Sequence, residues 1–211
     1  MFDYFLNALV TLLVTIDPLG LAPVFIVLTT GMAGSARRQT AYRASAVAGG
    51  VLIGFALIGE PLIGFLGISL PAFRISGGLL LFAIAFEMVF GARVERKTST
   101  AQTAAERDEL SHVAVFPLAI PLISGPGAIS ATILLSSRAP SAWAVILLLA
   151  IIVMMVGLCL AVFLVANKAE RLLGETGRIV VSRLLGLLLA ALSVQFVADG
   201  IAALIHGTSG A

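Results

Sequence analysis

The sequence predicts an all-α membrane protein with six transmembrane helices. Of its 211 residues, 60% are hydrophobic and 11% are charged, whereas a typical soluble domain has about 25% charged residues. The long uncharged runs match the length that a helix needs to cross the bilayer core, about 20 residues. Residues 60–73 fit either a plain connection or a short re-entrant piece. The predicted spans are residues 3–30, 40–62, 70–92, 113–136, 141–166 and 180–204.

The basic residues indicate how these helices are oriented. With six spans, eleven of the 13 Lys and Arg residues fall on one side of the membrane, and loops rich in Lys and Arg stay in the cytoplasm. This predicts a multi-pass protein with both termini outside the cytoplasm. It also explains the net charge of +2 without a nucleic-acid partner. The eleven are Arg37, Arg38, Arg43, Arg93, Arg96, Lys97, Arg107, Lys168, Arg171, Arg178 and Arg183, and the two opposite are Arg74 and Arg138.

The sequence shows no pattern typical of an enzyme or a metalloprotein. Residues 1–10 contain an acid and no basic residue, so we interpret them as the start of a retained helix rather than a signal peptide. The single cysteine, Cys159, suits packing in the fifth span. His112 and His206 lie at predicted span ends without a partner at ligand spacing. No cofactor, metal or catalytic residue is therefore expected.

The predicted spans fall into two halves of three. Residues 1–92 form the first half and residues 113–211 the second, with a cytoplasmic linker loop predicted at 93–112. If the halves are duplicates, an odd number of spans gives them opposite orientations. A shift of 108 residues supports duplication and predicts an inverted 3+3 repeat. The shift aligns Pro18 with Pro126, Gly78 and its three following leucines with Gly186 and its three, and Glu87 with Gln195.

The first and fourth spans are predicted to be discontinuous helices. Pro18 lacks an amide proton and its ring clashes with the preceding turn, so a helix kinks or ends there. Asp17 is a favoured N-cap and proline a favoured first residue, which predicts the start of a new half-helix at this point. In the fourth span, Ser124 and Gly125 are cap candidates before Pro126. In lipid, exposed backbone groups are tolerated only where they are buried in protein or line an aqueous cavity.

A repeat would bring the starts of both half-helices together near the middle of the membrane. Each start offers free amide hydrogens and the positive end of a helix dipole, which suits a small anion or carboxylate. The alternative is that both interruptions are simple proline kinks. If the half-helix starts bind such a ligand as a substrate, the residues predicted to hold it are Asp17, Pro18, Leu19, Gly20, Ser124, Gly125, Pro126, Gly127 and Ala128.

Two acidic residues lie inside predicted spans, where an Asp at the helix centre costs about 2.5–3.5 kcal/mol. Asp17 is expected either to cap the amides that follow it or to attract an ammonium group or a coupling cation. Glu87 either reaches the cytoplasmic interface or acts as a coupling or supporting group, with Gln195 as its neutral counterpart. Asp199 and Glu60 are expected to be solvated at span ends.

Small residues recur every four positions in the second span, at Ala46, Gly50 and Gly54. This spacing lets helices approach closely in lipid. It predicts a packing face, either within the chain or between the copies of a homo-oligomer.

The motifs DPLGLAPVF at 17–25 and PLISGPGAI at 121–129, together with six spans and a long central loop, resemble the MarC family of inner-membrane proteins. The resemblance covers essentially the whole chain. It implies a secondary transporter of inverted 3+3 topology for small neutral amino acids such as glycine and alanine, with the substrate held at 17–23 and 124–128. Coupling to H⁺ or Na⁺ is left open. A non-transporting structural or assembly protein and a small-solute channel are the alternatives.

Overall fold

The computed structural model describes residues 2–106 and 113–208, and this part of the chain contains helices and no strand. Between α5 and α6, the segment Ala114–Ile123 is an irregular helix with widened turns. The helices are α1 (Phe2–Ile16), α2 (Leu21–Leu28), α3 (Gly34–Phe65), α4 (Leu70–Phe90), α5 (Ala92–Glu106), α6 (Pro126–Ser137), α7 (Ala142–Leu164) and α8 (Ala166–Thr208).

The described residues confirm the all-helical membrane character that the composition predicts. Five helical stretches are long and apolar enough to cross a membrane, and a pair bent by 57°, Ala114–Ile123 with Pro126–Ser137, makes six if it counts as one span. The five are Phe2–Leu28, Gly34–Phe65, Leu70–Phe90, Ala142–Leu164 and Ile179–His206.

Two connections differ from the predicted boundaries. The ambiguous stretch 60–73 consists of two helix ends, because α3 runs to Phe65 and α4 begins at Leu70. Ser69 caps α4 by accepting a hydrogen bond from the amide of Ala72 at 3.3 Å. Helix α8 starts at Ala166 rather than near residue 180. The residues in between include Ala, Lys, Glu, Arg and Leu, which favour a helix regardless of hydrophobicity.

The prediction of a solvated linker loop at 93–112 is wrong for its first part. Residues 92–106 form α5, which packs against α2, α4 and the segment Ala114–Ile123. Its Arg93 and Lys97 are 4% and 6% exposed. These two residues are four positions apart and therefore lie on the same face of the helix. Residues 107–112 lie outside the described part of the chain.

Helices α4 and α8 make a close antiparallel contact at glycines. A Cβ atom at Gly78 would lie 2.9 Å from the carbonyl oxygen of Ser193. At the other end of the contact, a Cβ at Gly186 would lie 2.8 Å from the Cβ of Met88 and 3.2 Å from the carbonyl oxygen of Ala85. Only glycine lets the two backbones approach this closely, so these positions fix the distance between the helices.

Replacing Gly78 by Ala is expected to destabilise the protein by about 1–3 kcal/mol, because the added methyl group meets backbone atoms that cannot move aside cheaply. The matched control is Gly157→Ala in α7, where a Cβ would meet nothing within 4 Å. The control should be neutral or stabilising, since Ala favours a helix over Gly by up to about 1 kcal/mol. Thermal unfolding in detergent measures the difference. Equal melting temperatures for the two variants would contradict the packing role of Gly78.

Within the described residues, the small-residue stripe of the second span does not form a packing face, which corrects one of the two expectations for it. Ala46 and Gly50 are exposed, and a Cβ at Gly50 or Gly54 would meet nothing within 4 Å. The buried face of α3 lies instead along Ala44, Ala48, Leu52 and Ala56, among other residues. Cys159 is fully buried in the apolar core, as its position in the fifth span predicts.

Candidate functional site

The first interruption is a compact turn between α1 and α2. Asp17 precedes Pro18, which disfavours helical backbone at position 17, and it adopts φ 55°, a conformation that Asp tolerates better than most residues. Its Oδ1 accepts a hydrogen bond from the amide of Gly20 at 3.0 Å. Its carbonyl accepts another from the amide of Leu21 at 3.2 Å. Asp17 therefore stabilises the turn through both its side chain and its backbone carbonyl group.

This geometry corrects two details of the sequence prediction. The new helix begins at Leu21 instead of Pro18, because the turn needs residues 18–20 to reverse the strained backbone of Asp17. The amide of Gly20 is also unavailable to a ligand, since the carboxylate of Asp17 already accepts its proton. A Cβ at Gly20 would collide with that carboxylate, so glycine is required here.

The carboxylate of Asp17 is compensated by two cations from α5. Its Oδ2 lies 3.7 Å from Arg93 Nε and 3.5 Å from Lys97 Nζ. Arg93 also donates a hydrogen bond from Nη2 to the carbonyl oxygen of Thr15. All three charged side chains are less than a tenth exposed. The last turn of α1 and the start of α5 are therefore held together by a buried ion cluster of one acid and two bases.

The cluster carries a surplus positive charge. In the described part of the chain, Arg93 Nη1 and Lys97 Nζ are buried and have no hydrogen-bond partner. A buried donor without a partner costs about 1–3 kcal/mol, more when it is charged. Burial lowers the pKa of Lys97 to about 8, with further lowering by Arg93 and partial compensation by Asp17. Burial also lowers the pKa of Arg93 below its ordinary value.

The second interruption separates the segment Ala114–Ile123 from α6. Phe116 and Ile120 are extended, with ψ of 127° and 121°, because each precedes a proline that disfavours helical backbone before it. Ser124 does not cap α6, since its hydroxyl donates to the carbonyl of Ala119 at 2.8 Å. The cap position belongs to Gly125, which has no side chain to satisfy the first amides of the helix.

Gly125 must be glycine, because a Cβ there would lie 2.5 Å from the carbonyl oxygen of Pro121. Helix α6 then begins with Pro126, which has no amide hydrogen. The next amides, of Gly127 and Ala128, have no acceptor within their own helix. They lie at the positive end of the α6 dipole.

The second interruption, α5 and the last turn of α1 border one cavity of about 260 Å³. A Cβ at Gly127 would lie 3.5 Å from Thr15 Cγ2, so the start of α6 touches the last turn of α1. The cavity wall combines the start of α6 with the three basic residues of α5 and the chain just before the second interruption. Its lining includes Thr15, Arg93, Arg96, Lys97, Thr100, residues 121–123 and residues 125–128.

The cavity brings together only part of the predicted site. Gly125, Pro126, Gly127 and Ala128 are among its lining residues. The other five predicted residues do not line the cavity. One of them, Asp17, forms ion pairs with Arg93 and Lys97, which do line it. The remaining four are Pro18, Leu19, Gly20 and Ser124.

Comparison with known proteins identifies the chain's relatives. Residues 2–205 match the model of the MarC family integral membrane proteins. The chain belongs to the MarC family. No solved structure matches it significantly.

Several MarC relatives are similar over nearly their whole length. A UPF0056 membrane protein of Methanocaldococcus jannaschii is 36% identical over 202 residues, covering 94% of this chain and 96% of the relative. The UPF0056 membrane protein YhcE of Escherichia coli is 33% identical over 206 residues, with 98% and 95% covered. A UPF0056 membrane protein of Buchnera aphidicola is 33% identical over 193 residues, with 91% and 89% covered. These names describe membrane proteins and state no substrate.

The polar residues predicted to support the site occupy separate places in this MarC protein. Glu87 Oε1 pairs with Arg96 Nη1 at 3.0 Å, at the cavity wall. Gln195 Nε2 instead donates to Asp199 Oδ1 at 2.7 Å on the same helix. Asp199, whose side chain is 35% exposed, also pairs with Arg138. Glu60 is exposed, as predicted.

Sequence reasoning missed Arg93 and Lys97 in this MarC protein because it counted them as loop charges. The signal that could have found them is their four-residue spacing at the start of a stretch rich in helix-forming residues. A buried Asp in the first span also calls for a cationic partner. Together these two features indicate an ion cluster.

Proposed function

We propose that this MarC protein is a secondary transporter of small neutral amino acids, such as glycine and alanine, in the bacterial inner membrane. The main support is that one cavity lies at the second helix interruption and is bordered by the last turn of α1, just before the first interruption. Transporters of several folds bind their substrates at such interruptions, where half-helix starts and free carbonyl groups meet. The proposed activity is transport without covalent chemistry.

The size and polarity of the cavity suit a small zwitterion. Its volume of about 260 Å³ lies below the roughly 300–1,000 Å³ of sites for drug-sized ligands. The free amides of Gly127 and Ala128 are suited to a carboxylate. Residues 121–123 also line the cavity, and carbonyl groups at the end of this segment are suited to an ammonium group. A solute with both charges matches both ends of the second interruption.

The contact between α4 and α8 supports an inverted repeat. Gly78 meets Ser193 and Val197, while Gly186 meets Ala85 and Val89. The two contacts correspond when the chain is shifted by 108 residues. The corresponding pairs are 78 and 186, 85 and 193, and 89 and 197. Reciprocal contacts of this kind are what a two-fold axis between two halves produces.

The proposed mechanism follows from this arrangement. The two halves, with their oppositely oriented helices, would rock against each other about the cavity and open it alternately to each side of the membrane. The proposed orientation places both termini outside the cytoplasm and α5 inside. A gradient of H⁺ or Na⁺ would drive accumulation.

Counterflow in proteoliposomes tests the proposal. Liposomes loaded with unlabelled alanine or glycine should take up the labelled amino acid faster than protein-free liposomes. Imposed H⁺ and Na⁺ gradients identify the coupling ion. Folded protein that gives no counterflow with any small amino acid would contradict the proposal.

Measurements on the same purified protein distinguish a transporter from a structural or assembly protein and from a channel. A transporter should be stabilised by about 2.7 kcal/mol when its substrate is present at a hundredfold excess over the dissociation constant. A structural or assembly protein should show neither this stabilisation nor counterflow. A channel should conduct in planar bilayers at rates too fast for a carrier.

A further inference from the structure

We propose that Arg93 and Lys97 of α5 bind the carboxylate of the transported solute, and that Asp17 is the internal carboxylate with which the solute competes. This inference deepens the proposed function and rests on it for the identity of the solute. It assigns the binding of the carboxylate to α5, a helix outside the predicted site.

The first argument is that Asp17 does not satisfy its two partners. Arg93 Nε and Lys97 Nζ approach the same oxygen, Oδ2, at 3.7 and 3.5 Å, which are long distances for charge-assisted hydrogen bonds, usually about 2.7–2.9 Å. Lys97 Nζ and the Nη1 atom of Arg93 have no hydrogen-bond partner in the described residues. More than nine in ten buried polar groups in proteins have one. The cluster therefore has donors left for a second carboxylate.

The second argument is that the residues carrying these donors border the same cavity as the start of α6. Arg93 and Lys97 line the cavity together with Gly127 and Ala128. The twelve-residue helix α6 contributes free amides and a partial positive charge to the cavity. An anion in the cavity would thus meet full charges on one side and a helix start on another.

The third argument is the charge of the site. Arg93 and Lys97 against Asp17 leave one surplus positive charge, while Arg96 is paired with Glu87 at 3.0 Å. The carboxylate of the solute pairs with this surplus cation, whereas a second carboxylate would find no further cation to pair with. The site therefore favours a monocarboxylate. The ammonium group of the solute does not need Asp17, because that acid is engaged by the two cations and the amide of Gly20.

The test uses the two halves of alanine as separate probes on the full-length protein in detergent. Propionate carries only the carboxylate and ethylamine only the ammonium group. Propionate should raise the melting temperature and bind measurably in calorimetry, and ethylamine should do much less. If ethylamine binds as well as propionate, the proposal is overturned.

Two variants with opposite expected effects on propionate binding extend this test. Lys97→Gln should weaken propionate binding by about tenfold or more, as expected for the loss of one charge-assisted hydrogen bond. Asp17→Asn should strengthen it, because the internal competitor is gone and both cations remain. Arg43→Gln, which removes an exposed basic residue from the same side of the membrane, is the matched control and should leave binding unchanged.

The outcomes distinguish this proposal from the transport function. If alanine is transported but Lys97→Gln and Asp17→Asn leave its KM and propionate binding unchanged, the role of α5 is refuted and transport stands. If propionate binds in a Lys97-dependent manner but no amino acid is transported, the carboxylate site stands and the transport proposal fails. Should Asp17→Asn not fold, Lys97→Gln decides alone, since unchanged propionate binding in that variant refutes the proposal.

Discussion

Replacing Asp17 by Asn is expected to lower the free energy of unfolding by about 3–5 kcal/mol, because it leaves two buried cations without their acid. Asn has nearly the same shape, tolerates the positive φ of 55° at this position, and can still accept the hydrogen bond from the amide of Gly20. The substitution thus removes a charge and little else. Melting curves of the purified protein in detergent measure the loss.

A double-mutant cycle shows whether the loss is electrostatic. Lys97→Met alone should cost little, because the pair of Asp17 and Arg93 remains neutral overall. In the double variant with Asp17→Asn, the same change should recover much of the lost stability, because one buried cation remains instead of two. Propionate should also protect the Asp17→Asn protein more than the wild type. Strictly additive effects of the two substitutions would mean that the residues of the cluster do not interact.

Binding of propionate is expected to weaken by about tenfold or more between pH 7 and pH 9.5, since each pH unit above the pKa of Lys97 lowers its protonated fraction tenfold. Burial lowers this pKa to about 8, and a bound carboxylate favours the protonated amine. Binding therefore takes up a proton and is lost as pH rises. Propionate itself stays ionised over this range. Calorimetry at several pH values measures the slope.

Lys97→Arg is the control for this pH dependence. The guanidinium group stays charged throughout the range, so the variant should bind propionate with little change up to pH 9.5. The other charged or titratable groups that influence Lys97 are Arg93 on the same helix, Asp17 in the turn after α1 and Cys159 on α7. All three are retained in the variant. A slope equal to that of the wild type would assign the titration to a group other than Lys97.

The sequence predicted well those features that depend on local chemistry. Hydrophobic runs located the membrane helices because lipid admits few charges. Pro18 and Pro126 lie where the regular helices are interrupted, since proline lacks an amide hydrogen and disfavours helical backbone before it. Pro61, by contrast, lies inside α3, so a proline does not by itself decide where a helix ends. Pro117 and Pro121 follow extended residues, a feature that the prediction of a single break in the fourth span did not include.

Features that depend on distant contacts were not predictable in the same way. Arg93 and Lys97 look like the solvated charges of any cytoplasmic loop, and only the position of Asp17 some eighty residues earlier gives them a buried role. The start of the second half-helix was placed at Pro18 because the rule for N-caps is local. In the structure, the carboxylate of Asp17 serves the turn and the cations of α5 together, which moves the helix start to Leu21.

The glycine contact between α4 and α8 limits how these two helices can move against each other. Sliding one helix along the other by a few ångströms would bring side chains into the places that Gly78 and Gly186 now leave for backbone atoms. Turning about the line of contact keeps both glycines in register. In the two-half arrangement that we propose, each half contributes one of these helices, so the contact serves as the pivot.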